Sequence, residues 1–284
     1  EGHEVFVIDN LSTGNKNNIN PRAVFFEADI RDDLTSVMND VQPEIINHHA
    51  AQIDVRASVA DPVFDAESNI IGTLNIVQHG LKNGIRKVIF ASSGGAVYGE
   101  QDYFPADESH PARPLSPYGV AKLSCEKYLY CYKSNIGLDY VALRYSNVYG
   151  PRQNPHGEAG VVAIFTNKLI KGEKPVINGD GKQTRDYVFV DDVVSANISA
   201  LKAGVSGDFN IATGIETSVS ELFENLSEIS GKEIKAAFGP AKKGEQQRSC
   251  ISYEKAKTIL NWSPKVSISD GLKKTFEWFS KNTK

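Results

Sequence analysis

A tyrosine and a lysine stand four residues apart in the stretch SPYGVAK, as Tyr118 and Lys122. Pro117 favours the first turn of an α-helix, and residues four apart lie on one helical face, where an ammonium group can stabilise a phenolate. A phenolate is a base that can take a proton from a hydroxyl group. The spacing alone does not establish this chemistry, because Tyr253 and Lys257 repeat it.

The residues around Tyr118 must therefore distinguish the first pair. A β-branched and aromatic run over residues 87–92 predicts a buried strand, and it runs into Ser93 and two glycines. If that strand is parallel to its neighbours, Ser93 lies at the carboxyl end of the sheet, where α/β proteins bind ligands. Ser93 is thus a candidate partner for Tyr118, whereas Tyr253 follows no predicted strand of this kind.

Strands and helices alternate over the first half of the chain. Strands are predicted over residues 5–8, 23–27, 45–48, 87–92 and 140–145, and helices over 33–40, 62–83 and 117–134. This order predicts a doubly wound parallel sheet, that is, a Rossmann-like α/β fold. After residue 147, loops rich in Gly, Pro and Asn accompany helices predicted over 161–171, 218–230 and 269–280. We therefore expect a dinucleotide-binding domain over 1–147 and a smaller, interleaved α/β substrate-binding region over 148–284.

Composition argues against several other classes of protein. The chain has 284 residues, 40% of them hydrophobic, and a net charge of -4, so it can bury a large core but has no basic surface for nucleic acid or an anionic membrane. No apolar run reaches the roughly 18 residues of a membrane span. Three cysteines suit neither a disulfide framework nor a zinc site and indicate a reducing cytoplasm. No metal is expected, since His48 and His49 would point to opposite faces of a strand.

The beginning of the chain predicts a further element. Residues 1–5 read as the end of a helix that runs into a strand, with no initiator methionine. In a dinucleotide-binding fold this strand would be the second, after a first strand, a Gly-rich turn and a helix that together take roughly 25 residues. We therefore expect the natural protein to carry a leading segment with these elements, which this sequence lacks.

Acidic and small residues follow three of the predicted strands. Asp9 closes the first of them, where its carboxylate could accept hydrogen bonds from both adenosine ribose hydroxyls and would repel a 2′-phosphate. The second strand ends in residues suited to the adenine edge, and the third in small residues that let the backbone approach a dinucleotide. These residues are Asp29 and Ile30 after the second strand, and Ala50, Ala51 and Gln52 after the third. The three strand ends together predict an NAD site rather than an NADP site.

Eight stretches of the chain resemble one protein family. They are DNLSTG, ADIRD, HHAAQIDVRASVADP, NIIGTL, FASSGGAVYG, SPYGVAK, LRYSNVYGPRQ and RDYVFVDD. They look like the motifs of the extended short-chain dehydrogenase/reductases, and most closely like those of the UDP-glucose 4-epimerases and related nucleotide-sugar epimerases. The resemblance runs from residue 2 to about residue 278. It departs at the N-terminus, where the family carries a glycine-rich pyrophosphate loop.

The resemblance implies NAD as the cofactor and assigns its ligands. Asp9 and Asn10 would hold the adenosine ribose, and Asn69 would steady the loop beside the cofactor. The implied cofactor-binding residues are Asp9, Asn10, Ser12, Thr13, Gly14, Asp29, Ile30, Ala50, Ala51, Gln52, Asn69, Tyr118, Lys122, Tyr145 and Val148.

The resemblance also implies the catalytic residues Ser93, Tyr118 and Lys122. In the family the serine precedes the tyrosine by 25 residues, as Ser93 precedes Tyr118, whereas Glu228 stands at that distance before Tyr253. Tyr118 would take the proton from a sugar hydroxyl as hydride leaves that carbon for NAD, with Ser93 bonded to the same oxygen. Lys122 would stabilise the phenolate and hold the nicotinamide ribose.

A UDP-sugar is the substrate that the resemblance implies. Arg185 and Arg248 would clamp its diphosphate, since the planar guanidinium bonds phosphate oxygens bidentately. Ser249, five residues after Gly244, would border the sugar C2 pocket and leave room for an N-acetyl group. Five residues between 161 and 178 would surround the uracil. The implied substrate-binding residues are Ser93, Tyr118, Asn147, Val161, Phe165, Pro175, Val176, Asn178, Arg185, Arg248 and Ser249.

The two glycines after Ser93 separate the alternatives within the family. Relatives that eliminate water or decarboxylate carry acidic residues there, whereas this chain has Gly94 and Gly95. The favoured interpretation is therefore interconversion of UDP-glucose and UDP-galactose through a 4-keto intermediate that is reduced again on its other face. A nucleotide-sugar dehydratase or decarboxylase and a non-catalytic NAD-binding regulatory protein stay open as alternatives.

A homodimer is the assembly that the resemblance suggests. It would use the helix that carries Tyr118. The run YLYCY over residues 128–132 of this helix is too apolar for a fully solvated face.

Overall fold

The computed structural model describes residues 2–155, 160–241 and 246–282. The strands are β1 (Phe6–Asp9), β2 (Val24–Glu27), β3 (Ile45–His48), β4 (Lys87–Ser93), β5 (Asp139–Tyr145), β6 (Asn147–Tyr149), β7 (Val176–Asn178), β8 (Thr184–Phe189), β9 (Gly207–Ile211), β10 (Glu216–Ser218), β11 (Ala237–Gly239) and β12 (Arg248–Ser249). The α-helices are α1 (Thr35–Val41), α2 (Val55–Ala60), α3 (Pro62–Ala66), α4 (Gly72–Lys82), α5 (Gly94–Val97), α6 (Pro117–Ile136), α7 (Val161–Lys171), α8 (Val190–Lys202), α9 (Val219–Ser230), α10 (Glu254–Ile259) and α11 (Ile268–Asn282). A π-helical turn, Glu67–Ile71, joins α3 to α4.

Parallel pairing dominates the sheets. β1 and β2 form a parallel pair, and β3, β4, β5 and β9 follow one another in a second sheet, in which β3 and β4 are parallel. β8 lies between antiparallel β10 and parallel β12, and it also pairs in parallel with β6. β7 pairs in parallel with β11. This arrangement confirms the predicted α/β class with parallel, Rossmann-like strands.

Every strand and helix predicted from the sequence is present, and no end differs by more than two residues. The segment 62–83 forms α3, the π-helical turn and α4 in succession rather than one regular helix. The prediction lacked α2, α5, α8 and α10. α8 follows β8 directly, with Phe189 as its N-cap, so one apolar run serves a strand and a helix and shows neither period clearly.

One compact unit consists of residues 1–92, 115–142 and 204–207. Its core packs side chains from the strands against the helices, among them Met38, Ile46, Val77, Phe90 and Leu129. Gly80 lets α4 lie close to the side chains of Ile46 and Ile85, because a Cβ at this position would be 2.7 Å from Ile46 Cδ1 and 2.8 Å from Ile85 Cδ1. The ends of β1, β2 and β3, which carry the predicted cofactor residues, belong to this unit.

The other compact unit consists of residues 93–114, 143–203 and 208–284. Its core lies among α7, α9, α11 and β8 and includes Phe165, Leu169, Phe189, Leu222 and Leu272. Segments of the chain alternate between the two units. The functional division at residue 147 stays a prediction.

Two kinds of feature are absent from the residues that the structure describes. Within 2–155, 160–241 and 246–282, no helix is long and apolar enough to cross a membrane. In the same ranges, no cluster of three His, Cys, Asp or Glu side chains could hold a metal ion. Cys125 and Cys250 are buried free thiols, and Cys131 is an exposed one.

Candidate active site

α6 carries the tyrosine and lysine pair. Its first turn is capped by Ser116, whose Oγ accepts a hydrogen bond from the Gly119 N–H at 3.1 Å, and Pro117 occupies the first turn. Tyr118 is partly exposed, whereas Lys122 is 3% exposed. The Lys122 Nζ lies 5.7 Å from the centroid of the Tyr118 ring. The helix therefore places the buried ammonium within attractive range of the phenol.

The ammonium group of Lys122 is held by contacts with β4. Its Nζ donates a hydrogen bond to the Ala91 carbonyl oxygen at 2.8 Å and lies 4.8 Å from the Phe90 ring centroid. Burial lowers the pKa of Lys122 to about 8, because removal from water disfavours the charged form. The ammonium is the dominant form at neutral pH, and it loses its proton more readily than an exposed lysine.

The two serines at the end of β4 have different environments. Ser92 is 3% exposed, and its Oγ donates to Glu126 Oε1 at 2.6 Å. Ser93 closes the strand and is partly exposed. Since the Ser92 hydroxyl is committed to a buried hydrogen bond, Ser93 is the better candidate for a ligand contact.

The second tyrosine and lysine pair has another setting. Tyr253 directly precedes α10, and its ring packs edge-on against Trp262 with the centroids 6.3 Å apart. Lys257 is exposed, and its Nζ lies 3.2 Å from a Glu254 carboxylate oxygen. This lysine therefore belongs to a surface ion pair within one short helix.

The carboxylate of Asp9 lies at the end of β1 and is wrapped by the following loop. Its Oδ1 accepts a hydrogen bond from the Leu11 N–H at 2.7 Å. A Cβ at Gly14 would lie 2.8 Å from the same oxygen and 3.1 Å from Oδ2. A glycine at this position therefore lets the loop approach the carboxylate while both of its oxygens keep their places. Ser12 and Thr13 are exposed in the same loop.

Asp29 connects the ends of β1 and β2. Asn10 Nδ2 donates to its Oδ2 at 2.9 Å, and the Arg31 guanidinium binds both carboxylate oxygens at 2.9 and 2.7 Å. Hydrogen bonding to Arg31 holds the pKa of Asp29 far below its usual range. The structure thus brings Asn10 and Asp29 together, with buried Ile30 beside them.

Gln52 and Asn69 are paired through the backbone after β3. The Gln52 N–H donates to Asn69 Oδ1 at 2.8 Å, and Asn69 Nδ2 donates to the Gln52 carbonyl oxygen at 2.9 Å. Ala50 and Ala51 precede this pair and are partly buried. Asp65, which the sequence analysis did not single out, accepts hydrogen bonds from both amide side chains. Its position four residues before Asn69 on a predicted helix was the available signal.

Two predicted cofactor residues lie at β5 and β6. The Tyr145 hydroxyl accepts a hydrogen bond from Asn197 Nδ2 at 2.8 Å, and burial raises the pKa of Tyr145. Val148 lies opposite Val188 of β8. Both positions are fixed by contacts inside their own unit.

Strand register sets which predicted substrate residues share a face. Residues directly opposite in neighbouring strands point to the same side, and successive residues alternate. Asn147 lies opposite Tyr187, and Ser249 lies opposite Arg185. The structure therefore brings Asn147, Arg185 and Ser249 to one face. Gly244, from which the position of Ser249 is counted, lies outside the described residues.

Arg248 lies on the opposite face. It stands opposite Thr184, and its Nε and Nη2 donate to the Glu216 carboxylate at 3.0 and 2.6 Å. Its guanidinium carbon is 3.9 Å from the Phe104 ring centroid. The structure does not bring Arg248 together with Arg185, because adjacent residues of a strand alternate in direction.

Asp186 is a buried carboxylate that the sequence analysis did not single out, although it directly follows Arg185. It is 1% exposed and accepts hydrogen bonds from the Thr213 N–H at 2.9 Å, the Thr213 hydroxyl at 2.7 Å and the Gly214 N–H at 2.8 Å. The Ser146 hydroxyl lies 3.3 Å away. Burial raises the pKa of Asp186. The carboxylate thus ties the segments around β6 and β9 to β8.

The residues predicted to enclose the uracil fall into two groups. Two lie on α7 and three lie on or beside β7, namely Val161, Phe165, Pro175, Val176 and Asn178. Phe165 is 3% exposed and packs edge-on against Phe223 with the centroids 6.0 Å apart, so its ring belongs to the core. Val176 is 45% exposed and shares one face of β7 with Asn178.

Gly94 and Gly95 differ in the space around them. A Cβ at Gly94 would clash with Ile251 Cδ1 and lie 3.3 Å from the carbonyl oxygens of Arg144 and Tyr145. A Cβ at Gly95 would meet no atom within 4 Å. The first position therefore excludes larger side chains, and the second would admit them.

Comparisons with known proteins agree with the motifs. Residues 1–212 match the NAD dependent epimerase/dehydratase family. The chain is 48% identical over 283 residues to a putative UDP-glucose 4-epimerase of Methanocaldococcus jannaschii, over 99% of this chain and 92% of that protein.

Two solved structures of similar chains extend this agreement. A UDP-glucose 4-epimerase of Thermotoga maritima with UDP-glucose has a TM-score of 0.97 and 47% identity, over 100% of this chain and 93% of the other. A UDP-glucose 4-epimerase of Thermus thermophilus in complex with NAD has a TM-score of 0.93 and 40% identity, over 98% and 91%. As its motifs predicted, the chain belongs to the NAD dependent epimerase/dehydratase family.

Proposed function

We propose that this chain is an NAD-dependent UDP-glucose 4-epimerase, an isomerase that interconverts UDP-glucose and UDP-galactose. The observation that carries the proposal is the buried Lys122 ammonium beside the Tyr118 ring, in a chain similar to proteins of that name over almost its whole length. A protein that only binds NAD has no need of an activated base. Proton NMR of UDP-galactose with enzyme and NAD is the test. We expect the signals of UDP-glucose to appear, and an unchanged spectrum would contradict the proposal.

The surroundings of Asp9 fit the adenosine ribose of NAD. Its Oδ1 accepts one backbone hydrogen bond, and the bare Cα of Gly14 keeps a side chain away from the carboxylate. Two adjacent ribose hydroxyls can bind such a carboxylate, whereas a 2′-phosphate would be repelled. When bound, NAD supplies the capacity to accept a hydride from the sugar carbon and to return it.

Tyr118 is the proposed general base. A phenol with an ordinary pKa near 10 keeps its proton at neutral pH, and the nearby Lys122 ammonium favours the phenolate. Tyr118 takes the proton of the sugar 4-hydroxyl as C4 becomes a ketone, and it gives the proton back when C4 is reduced. Ser93 donates a hydrogen bond to the same oxygen, and Lys122 holds the nicotinamide ribose.

Inversion at C4 is proposed to follow because nothing diverts the 4-keto sugar. Elimination or decarboxylation would need an acid or base beside it, and the positions after Ser93 are Gly94 and Gly95. The lack of room at Gly94 supports this choice. The sugar turns over in the site and is reduced on its opposite face.

Arg185 and Asn147 are the proposed ligands of the UDP diphosphate. Their common face supports this assignment, as does the bidentate geometry of the guanidinium group. Arg248 is a second diphosphate ligand only if its hydrogen bonds to the Glu216 carboxylate break and its guanidinium turns to the substrate. Val161, Pro175, Val176 and Asn178 are proposed around the uracil, with Phe165 supporting them from the core.

Ser249 supports a second substrate pair, UDP-GlcNAc and UDP-GalNAc. Its side chain is small, it is 4% exposed, and it shares the face of Arg185. A sugar beside this face would therefore meet a serine rather than an aromatic ring at C2. We expect the enzyme to turn over both sugar pairs, and we expect Ser249→Tyr to lose the acetylated pair selectively. Equal loss of both pairs in that variant, or no turnover of UDP-GlcNAc by the parent enzyme, would contradict this assignment.

A homodimer in the cytoplasm is the proposed assembly and location. Tyr128 and Tyr130 of α6 are 45% and 62% exposed, and Val120 of the same helix is 48% exposed, which supports a partner on this helix. Three unpaired cysteines support a reducing compartment. Sedimentation of the protein at several concentrations would test the dimer.

A further inference from the structure

A buried polar cluster joins α3, the π-helical turn and the segment after β3. Asp65 is 1% exposed, and its Oδ1 accepts hydrogen bonds from Gln52 Nε2 at 3.0 Å and from Asn69 Nδ2 at 2.9 Å. Its other oxygen, Oδ2, is buried and has no hydrogen-bond partner among the residues that the structure describes. The hydrogen bonds to Oδ1 thus fix the carboxylate in place, while two neutral amide donors leave the negative charge shared by both oxygens for a cation to offset.

This cluster contacts the helix that carries Lys122. α3 packs against α6, and the Cys125 Sγ donates to the Asn69 carbonyl oxygen at 3.3 Å. Cys125 lies one helical turn after Lys122, so both face the cluster. Burial raises the pKa of Asp65, and the Lys122 ammonium acts in the opposite direction. Carboxylate and ammonium therefore attract each other inside the protein.

The other titratable side chains around Lys122 differ in their charge and in the element that carries them. Burial raises the pKa of the Cys125 thiol, so this group is neutral at pH 8. His48, the last residue of β3, and His49 after it are neutral at pH 8 as well, because burial lowers the pKa of both imidazoles. Glu126 is a second carboxylate, but it lies on α6 itself and accepts the Ser92 hydroxyl. Within the described ranges, Asp65 is the carboxylate on another element whose charge favours the ammonium form of Lys122.

We propose that Asp65 is a positioning residue that keeps Lys122 in its charged form, and thereby keeps Tyr118 active as a base. The proposal rests on the proposed function of the α6 pair. A buried ammonium is costly without an opposite charge nearby, and Asp65 supplies that charge without touching the substrate. Gln52, a predicted cofactor-binding residue, donates a hydrogen bond to the same carboxylate. Asp65 therefore also fixes the segment after β3.

Asp65→Asn is the matched substitution. The amide oxygen can still accept both hydrogen bonds from Gln52 and Asn69, and its NH2 group takes the place of Oδ2, which accepts no hydrogen bond from the described residues. The substitution therefore removes the charge while it keeps shape and hydrogen bonds. Lys122 should then lose its proton at a pH lower by about one unit.

The readout is the protonation of Lys122 itself. Lysine Cε is labelled with carbon-13 in the full chain, and the Lys122 signal is identified by its loss in Lys122→Arg. We expect its titration midpoint to fall in Asp65→Asn, and we expect the alkaline limb of the kcat profile to move to lower pH by the same amount. Asp65→Glu, which keeps the charge, should restore a midpoint near that of the parent protein.

Glu67→Gln is the control, because Glu67 is exposed and two residues away. It should leave the midpoint of Lys122 unchanged. An unshifted midpoint in folded Asp65→Asn would overturn the proposal, as would equal shifts in Asp65→Asn and Glu67→Gln. If Asp65→Asn does not fold, an unchanged midpoint in Asp65→Ser overturns it in the same way. Because the NMR titration needs no turnover, it answers this question even if the chain proves not to be an epimerase.

Discussion

At the scale of single residues, the phenol oxygen of Tyr118 is the group on which the proposed chemistry depends. Tyr118→Phe removes that oxygen and leaves the ring beside Lys122. We expect kcat to fall about 100- to 10,000-fold, as the loss of a general base does, while the affinity for NAD changes little. Turnover of UDP-galactose and NAD binding by calorimetry would be measured together. Full turnover by the variant would favour another base, and loss of NAD binding would assign Tyr118 to the cofactor site alone.

Gly14 tests the space around Asp9. In Gly14→Ala the new Cβ would lie 2.8 Å from Asp9 Oδ1, so the loop or the carboxylate must move. Overpacking of this kind costs about 1–3 kcal/mol, and we expect NAD to bind roughly 10-fold more weakly. Gly204→Ala is the control, because a Cβ there meets no atom within 4 Å. Equal NAD affinity in the two variants would show that Asp9 does not hold the ribose.

The chemistry of these residues could be predicted from the sequence, but their partners could not. Tyr118, Lys122 and Asp9 stand at spacings and strand ends that indicate their roles. The burial of Lys122 and its contact with Ala91 depend on packing across 31 residues of chain. For Asp65 the sequence offers only its spacing of four residues from Asn69, and its relation to Lys122 depends on the packing of α3 against α6.

At the scale of elements, strand register separates two arginines that look equivalent in the sequence. Arg185 shares a face with Asn147, whereas Arg248 faces the other way and pairs with Glu216. We expect Arg185→Ala to raise KM for UDP-galactose roughly 10- to 100-fold, the worth of a hydrogen bond to a charged group. Arg248→Ala should leave KM nearly unchanged. A larger KM effect in Arg248→Ala would mean that the guanidinium leaves Glu216 to bind the substrate.

Asp186 stabilises the packing of neighbouring elements and is not proposed to bind a ligand. Asp186→Ala would leave the buried N–H groups of Thr213 and Gly214 without their acceptor, and we expect a loss of about 3 kcal/mol in the free energy of unfolding. Asp191→Ala is the control, because Asp191 is exposed in the first turn of α8 and contributes no more than about 1 kcal/mol there. Denaturant unfolding of both variants measures the difference. Equal free energies of unfolding of the two variants would contradict this role of Asp186.

Regular elements with a clear period were predictable, and the shortest ones were not. β6 and β12 have three and two residues, and they exist because β8 offers them a partner. No local pattern of such length distinguishes a strand from a loop. α2 was missed although Asp54 was an available signal, since its side chain caps the first turn through hydrogen bonds from the Arg56 and Ala57 N–H groups.

At the scale of the whole molecule, the chain crosses between its two compact units several times. We predicted that the second region is interleaved with the first, but no local pattern marks the residues at which the chain crosses from one unit to the other. The α/β class followed from the alternation of strands and helices. The contribution of residues 93–114 to the second unit did not, since they follow a strand of the first.

In the proposed reaction, C4 loses a hydrogen on oxidation and regains the same hydrogen on the opposite face. The direct measurement starts from UDP-galactose with deuterium at C4, incubated with enzyme and NAD in ordinary water, and locates the label in the product by NMR. We expect UDP-glucose with the deuterium retained at C4, because no side chain is proposed to take this hydrogen as a proton that exchanges with water. Deuterium at C6 of a 4-keto-6-deoxy sugar, or lost to the solvent, would contradict it.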